Sequence, residues 1–241
     1  MILKLIYADR MKLKRSPIWL AFLFMPIVPA LLGTLNYRAN ISILKNGWYS
    51  LWTQHTLFTC YFFLPIMLGI YCSYLMRLEN SNHNWNKLLT MPIKPWQVFV
   101  SKLVTASLML VLSELWIGLL FIVSGKIAGI SEPIPKDLIL WLACGTLGGM
   151  VMASVQLMLS AVLKSFALPV GIALAGGISG LVALAKGFGH IYPYALMAYG
   201  MRSNAPQVLM ENGNLQFIII CLAFLVLFTA SGSLWLSKRD I

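Results

Sequence analysis

Long apolar runs alternate with short polar segments along the whole chain. A helix must cross about 30 Å of hydrocarbon, which takes roughly 20 apolar residues. Six segments meet that length: Ile18–Leu35, Leu57–Met76, Val98–Val123, Leu138–Leu163, Phe166–Ala185 and Phe217–Leu236. Only Lys164 and Ser165 separate the fourth from the fifth. One helix through both would far exceed a bilayer, so a tight hairpin turn is predicted there. The predicted fold class is all-α: a polytopic membrane protein with six transmembrane helices after an N-terminal interfacial helix. Residues 1–241 are read as a single transmembrane domain.

Composition narrows the class further. Hydrophobic residues make up 59%, charged residues 10%, and mean hydropathy is +0.81. A soluble domain carries roughly 25% charged residues, so a soluble enzyme, a disordered chain and a collagen-like chain are excluded. The net charge of +11 would suggest nucleic acid in a soluble chain. Here the cations lie between apolar runs, where they set orientation and call for no nucleic acid. With the N-terminus inside, twelve Lys and Arg fall on the inner side and six on the outer. Both termini are therefore predicted to be cytoplasmic. The inverse arrangement would translocate Lys4, Arg10, Lys12, Lys14 and Arg15. The first apolar run has no small-residue cleavage site after it, so it is expected to remain as a span.

Residues 1–16 are too polar to span and too apolar for a free tail. Ile2, Ile6 and Leu13 share a helical face, with Lys4, Lys12 and Arg15 away from it, while Asp9 and Arg10 blur the pattern. A short helix along the cytoplasmic interface is predicted, its Lys4, Arg10, Lys12, Lys14 and Arg15 near anionic membrane lipid. The alternative is a basic flank serving topology alone.

The segment from Arg77 to Gln97 holds Glu79, then the polar run Asn80-Ser-Asn-His-Asn84, then Trp85-Asn-Lys-Leu-Leu-Thr90. Trp85, Leu88 and Leu89 stand at helical spacing on one face. Pro92 stops that helix, and Pro95 suits the first turn of the next. The amphipathic face needs a partner, either the lipid interface or a groove on a cytoplasmic protein. Between spans five and six, Tyr192-Pro-Tyr-Ala-Leu-Met-Ala-Tyr199 is amphiphilic and aromatic. It is read either as an interfacial anchor or as a re-entrant piece. Gly145 with Gly149, and Gly176 with Gly180, are spaced for close helix approach.

Candidate chemistry is sparse. There is no P-loop, HExxH or GxSxG motif, so no catalytic residue is assigned. Cys60, Cys72, Cys144 and Cys221 lie in apolar runs without metal-like spacing, and His55, His83 and His190 have no partner at ligand spacing; no metal site is assigned. Glu114 stands out, deep in span three within Ser113-Glu-Leu-Trp116. A carboxylate in hydrocarbon is costly and should face the bundle interior. It is either a polar point on a substrate or conformational pathway, or one end of an interhelical hydrogen bond to a residue such as Gln156.

A basic N-terminal helix, six spans, a helix-Pro segment between spans two and three, and a long loop before span six form a pattern. In detail it rests on Met1-Ile-Leu-Lys-Leu-Ile-Tyr-Ala-Asp-Arg-Met-Lys-Leu-Lys-Arg-Ser16, on Glu79 with Trp85 to Trp96, and on Lys102. The chain resembles the permease subunits of type-2 ABC exporters, most of all the lantibiotic immunity and resistance permeases of bacteria. The resemblance implies that residues 1–16 form an elbow helix. It implies that Glu79, Trp85, Leu88 and Leu89 belong to a coupling helix seated on a separate cytoplasmic ABC ATPase. ATP and Mg would bind that ATPase, and this chain would carry no cofactor and catalyse nothing. A second permease, identical or related, would complete the path for an amphipathic peptide substrate. The setting would be the bacterial cytoplasmic membrane. Export of drugs, lipids or other amphiphiles stays open, as do a stand-alone membrane enzyme and an autonomous carrier.

Overall fold

The computed structural model describes residues 1–80, 84–85, 92–163, 165–208 and 213–238. These are mostly helical, with no strand among the described residues. The helix α1 (Ile2–Leu13) precedes α2 (Ile18–Phe24) and α3 (Ile27–Ala39). Next come α4 (Gly47–Phe58), a π-helical turn (Thr59–Phe63) and α5 (Leu64–Asn80). Then follow α6 (Pro95–Ile127), α7 (Leu138–Val162), α8 (Ala167–Ala185), the short α9 (Leu196–Gly200) and α10 (Gly213–Ser237).

Six stretches are long and apolar enough to cross a membrane: Ile18–Ala39, Gly47–Asn80, Pro95–Ile127, Leu138–Val162, Ala167–Ala185 and Gly213–Ser237. Each contains or closely follows a segment predicted from the apolar runs. The first span is interrupted at Met25 and Pro26, because proline has no N–H and its ring crowds the carbonyl one turn back. The second begins at Gly47, ten residues before the predicted Leu57. Its early turns carry Gln54, His55 and Thr56, which lower hydropathy, yet tertiary bonds hold them. Asn36 Nδ2 donates to Gln54 Oε1 at 2.6 Å, and His55 Nε2 lies 3.1 Å from Thr34 Oγ1. Trp48, Leu51 and Trp52 on the same turns are almost fully buried. Between α7 and α8 the chain turns at Leu163, whose backbone is extended, as the hairpin reading requires; Lys164 lies outside the described residues.

The helix α7 is central, packed against α5, α6, α9 and α10. Its glycines explain how. A Cβ on Gly148 would stand 2.5 Å from the Leu196 carbonyl, and one on Gly145 would meet Met201 at 2.5 Å. On α8, Gly176 and Gly180 face Tyr194. Both glycine pairs are therefore close-packing sites, but three of the four glycines receive the span five to six loop, and Gly149 receives the Leu110 side chain. That loop packs back into the bundle, as the re-entrant reading requires. Ala195, Leu196, Met197, Ala198 and Met201 are fully buried. Trp52 Nε1 donates to the Met201 carbonyl at 2.9 Å, and Gln156 Nε2 to Tyr194 Oη at 2.6 Å. Large apolar side chains on α6, α8 and α10 remain exposed, among them Leu115, Val182 and Val226, as lipid-facing surfaces of a bundle require.

Candidate functional site

The six spans bring α1 and the C-terminal part of α10 to the end of the bundle where α5 ends and α6 begins. Four charged side chains meet there. Lys102, two turns into α6, donates from Nζ to Asp9 Oδ1 of α1 at 2.5 Å and to Glu79 Oε1 of α5 at 2.5 Å. Lys12 Nζ donates to the same Glu79 oxygen at 2.6 Å. Thr105 Oγ1 faces Asp9 Oδ2 at 3.5 Å. Lys102, Asp9 and Glu79 are each at least 96% buried at the side chain, whereas Lys12 is about one third exposed. Glu79 Oε2 has no hydrogen-bond partner among the described residues.

Three segments distant in sequence are thus held by one ammonium group. Burial pushes the Asp9 carboxyl above its ordinary value, outweighing the downward pull of Lys102. At Asp9 desolvation exceeds attraction, and a buried ion cluster of this kind fixes geometry more than it adds stability. The sequence pattern treated Asp9 as a blemish on an amphipathic face. In the structure Asp9 and Leu13 are the inward positions of α1, and Leu3, Tyr7 and Met11 point outward. The remaining cations of the N-terminal segment, Lys4, Arg10, Lys14 and Arg15, are exposed. Lys102 entered the charge count and the family pattern, but nothing in the sequence paired it with Asp9 or Glu79. The signal available was an opposite charge on each of three segments that must meet at one membrane face.

Beyond Glu79, Asn84 Nδ2 donates to the Leu78 carbonyl at 2.8 Å, and Trp85 Nε1 donates to Asn80 Oδ1 at 2.7 Å. Trp85 is only 7% exposed and belongs to the hydrophobic core. It therefore anchors the segment to the end of α5 instead of facing outward. Leu88 and Leu89 lie outside the described residues. Nearby on α5, Arg77 lies over the Phe166 ring at 5.7 Å and lines a cavity of about 310 Å³ with Ser73, Ser160 and Ser165.

These features have a counterpart among known proteins. A family model described as ABC-2 family transporter protein matches residues 5–180. The chain belongs to this family. It is a multi-pass membrane permease of the ABC exporter class, a transport subunit and not itself the catalyst of ATP hydrolysis. The match begins inside α1 and ends within α8, so it includes all four charged residues of the cluster. No curated protein sequence matches the chain.

Glu114 stands apart from the cluster. It is 2% exposed, and neither carboxylate oxygen has a partner among the described residues. Gln156 gives its amide to Tyr194 rather than to Glu114. The adjacent Ser113 is occupied with Tyr71 at 3.2 Å and with the Met109 carbonyl at 2.9 Å. A buried polar group without a bond costs about 1–3 kcal/mol. Glu114→Leu is accordingly expected to stabilise the bundle by a like amount, read from unfolding in mixed detergent micelles. Full transport by Glu114→Gln would show that no ionised role is needed there.

Proposed function

We propose that this permease works with a separate cytoplasmic ABC ATPase, which binds ATP and Mg, to remove lantibiotic-type antimicrobial peptides from a bacterial cytoplasmic membrane. Both termini face the cytoplasm, and a second permease, identical or related, completes the path. The observation that carries this is the charged cluster. The segment between α5 and α6 is the coupling element, and Glu79 stands at its root, bonded to Lys102 of span three and Lys12 of α1. A push on that element from the ATPase cannot move span two alone. It moves the elbow helix and span three as a unit, so the free energy of ATP binding reaches the bundle mechanically. Trp85 fixes the element to α5, while Leu88 and Leu89 are the side chains offered to the ATPase. The amphipathic peptide substrate follows from the resemblance to lantibiotic permeases.

Leu88→Asp with Leu89→Asp is expected to abolish recovery of a P-loop ATPase with the tagged permease from gently solubilised membranes, while membrane insertion persists. Undiminished recovery would overturn the coupling assignment. For the substrate, loss of the chain is expected to sensitise cells to a lantibiotic and leave susceptibility to unrelated drugs unchanged. Broad sensitisation to hydrophobic drugs would assign a wider range of amphiphiles instead.

A further inference from the structure

At the bundle end opposite the termini, the chain leaves the re-entrant helix α9 through Arg202, whose backbone is left-handed at φ 51°. For a residue with a Cβ this conformation is strained and persists only where the surroundings impose it. The arginine is 91% buried, and its Nε has no hydrogen-bond partner among the described residues. Its Nη2 reaches Asn214 Oδ1 only at 3.5 Å. No carboxylate pairs with it among the described residues. A guanidinium so placed is costly unless an anion completes it.

Arg202 lines a cavity of about 260 Å³. Ser203 and Asn204 stand beside it, and Leu184, Ala205 and Val208 supply apolar lining. The polar wall is held rigid from span two. Tyr61 Oη lies 2.8 Å from Ser203 Oγ and donates to Asn204 Oδ1 at 3.2 Å. With Oδ1 engaged, the Asn204 amide Nδ2 is the donor left for a ligand. Phe188, Ile191 and Val208 are more than half exposed in the same loop, at the depth where spans five and six end and where tyrosines favour the membrane boundary.

We propose that this cavity binds the phosphate of a phospholipid from the leaflet opposite the termini, with the acyl chains lying along Leu184 and Val208. A guanidinium fork matches phosphate oxygens with two parallel hydrogen bonds, and the Asn204 amide adds a third donor. The apolar lining selects an amphiphile over a free ion. The bound lipid wedges the re-entrant loop against span five, since the cavity is bounded by Leu184 of α8 and by residues of the loop itself. This site is independent of the ATPase contact and of the peptide substrate.

The test is native mass spectrometry of the delipidated full-length protein, titrated separately with dioleoylphosphatidylglycerol and with dioleoylglycerol, which has the same chains and no phosphate. One phosphatidylglycerol per chain is expected to survive release from the micelle, and no dioleoylglycerol. Arg202→Gly removes the fork and also relieves the positive φ. It is expected to weaken lipid retention about tenfold or more, the loss of charge-assisted hydrogen bonds, while its thermal midpoint equals or exceeds that of the parent. Arg202→Lys keeps the charge without the fork and is expected to lie between. Equal retention by Arg202→Gly, or equal retention of dioleoylglycerol, overturns the proposal. Displacement of the lipid by millimolar inorganic phosphate would make the site one for free phosphate. Displacement by an amphipathic peptide with a free C-terminal carboxylate, but not by its amide, would make it a peptide site.

Discussion

Lys102→Ala is expected to destabilise the protein by about 3–5 kcal/mol, the usual effect of removing one member of a buried ion cluster. The substitution leaves Asp9 and Glu79 facing each other with only Lys12, about one third exposed, for compensation. The defect is expected to shrink as pH falls. Burial already holds the Asp9 carboxyl above its ordinary value. Just above that ordinary value the folded state keeps a proton that the unfolded state has lost, so stability falls as pH rises through the window. Without Lys102 the window extends upward, and acid relieves the variant more than the parent. Mixed-micelle unfolding at two pH values measures this. A loss independent of pH would mean that the lysine stem, not its charge, is what matters.

The companion variant separates folding from coupling. Asp9→Asn, Glu79→Gln and Lys102→Met together remove every buried charge of the cluster. Replacing a buried ion cluster by neutral groups of similar volume is often neutral or stabilising, so this triple variant is expected to insert and fold. It is also expected to uncouple: ATP hydrolysis by the associated ATPase continues while transport falls. Normal transport by the stable triple variant would reduce the cluster to a packing feature.

Gly148→Ala is expected to cost about 1–3 kcal/mol, toward the upper end for a rigid clash. The new methyl group would meet the backbone of Leu196 and Met197 at 2.5 Å, and backbone cannot swing aside as a side-chain tip can. The re-entrant piece must therefore rise out of the bundle, carrying Met201 away from Trp52. Gly171→Ala on α8 is the control. Nothing stands within 4 Å of that Cβ, and replacing a helix glycine by alanine gains roughly 0.5–1 kcal/mol. Parallel unfolding titrations compare the two. Equal effects would show that the loop does not rest on α7.

What the sequence determined by itself was the membrane class, the six spans and the hairpin after Val162, because hydrocarbon imposes length and apolarity on each span independently of its neighbours. It also marked Glu114 as costly, since a carboxylate in lipid is expensive whatever surrounds it. Where neighbours decide, local pattern failed. The polar start of span two at Gly47 is helical because Thr34 and Asn36 of α3 complete His55 and Gln54. Asp9, Glu79 and Lys102 each looked like an isolated charge, and only the packing of α1, α5 and α6 joins them across 93 residues. Trp85 had the spacing of an exposed amphipathic face but turns back to Asn80. The tyrosine-rich loop had the composition of an interfacial anchor. It is buried because Gly148 leaves room on α7 for its backbone and Gly145 for the Met201 side chain, a vacancy that no hydropathy pattern records. Spans are set by the solvent each helix meets, whereas sites are set by which helices meet one another, and only the tertiary structure decides that.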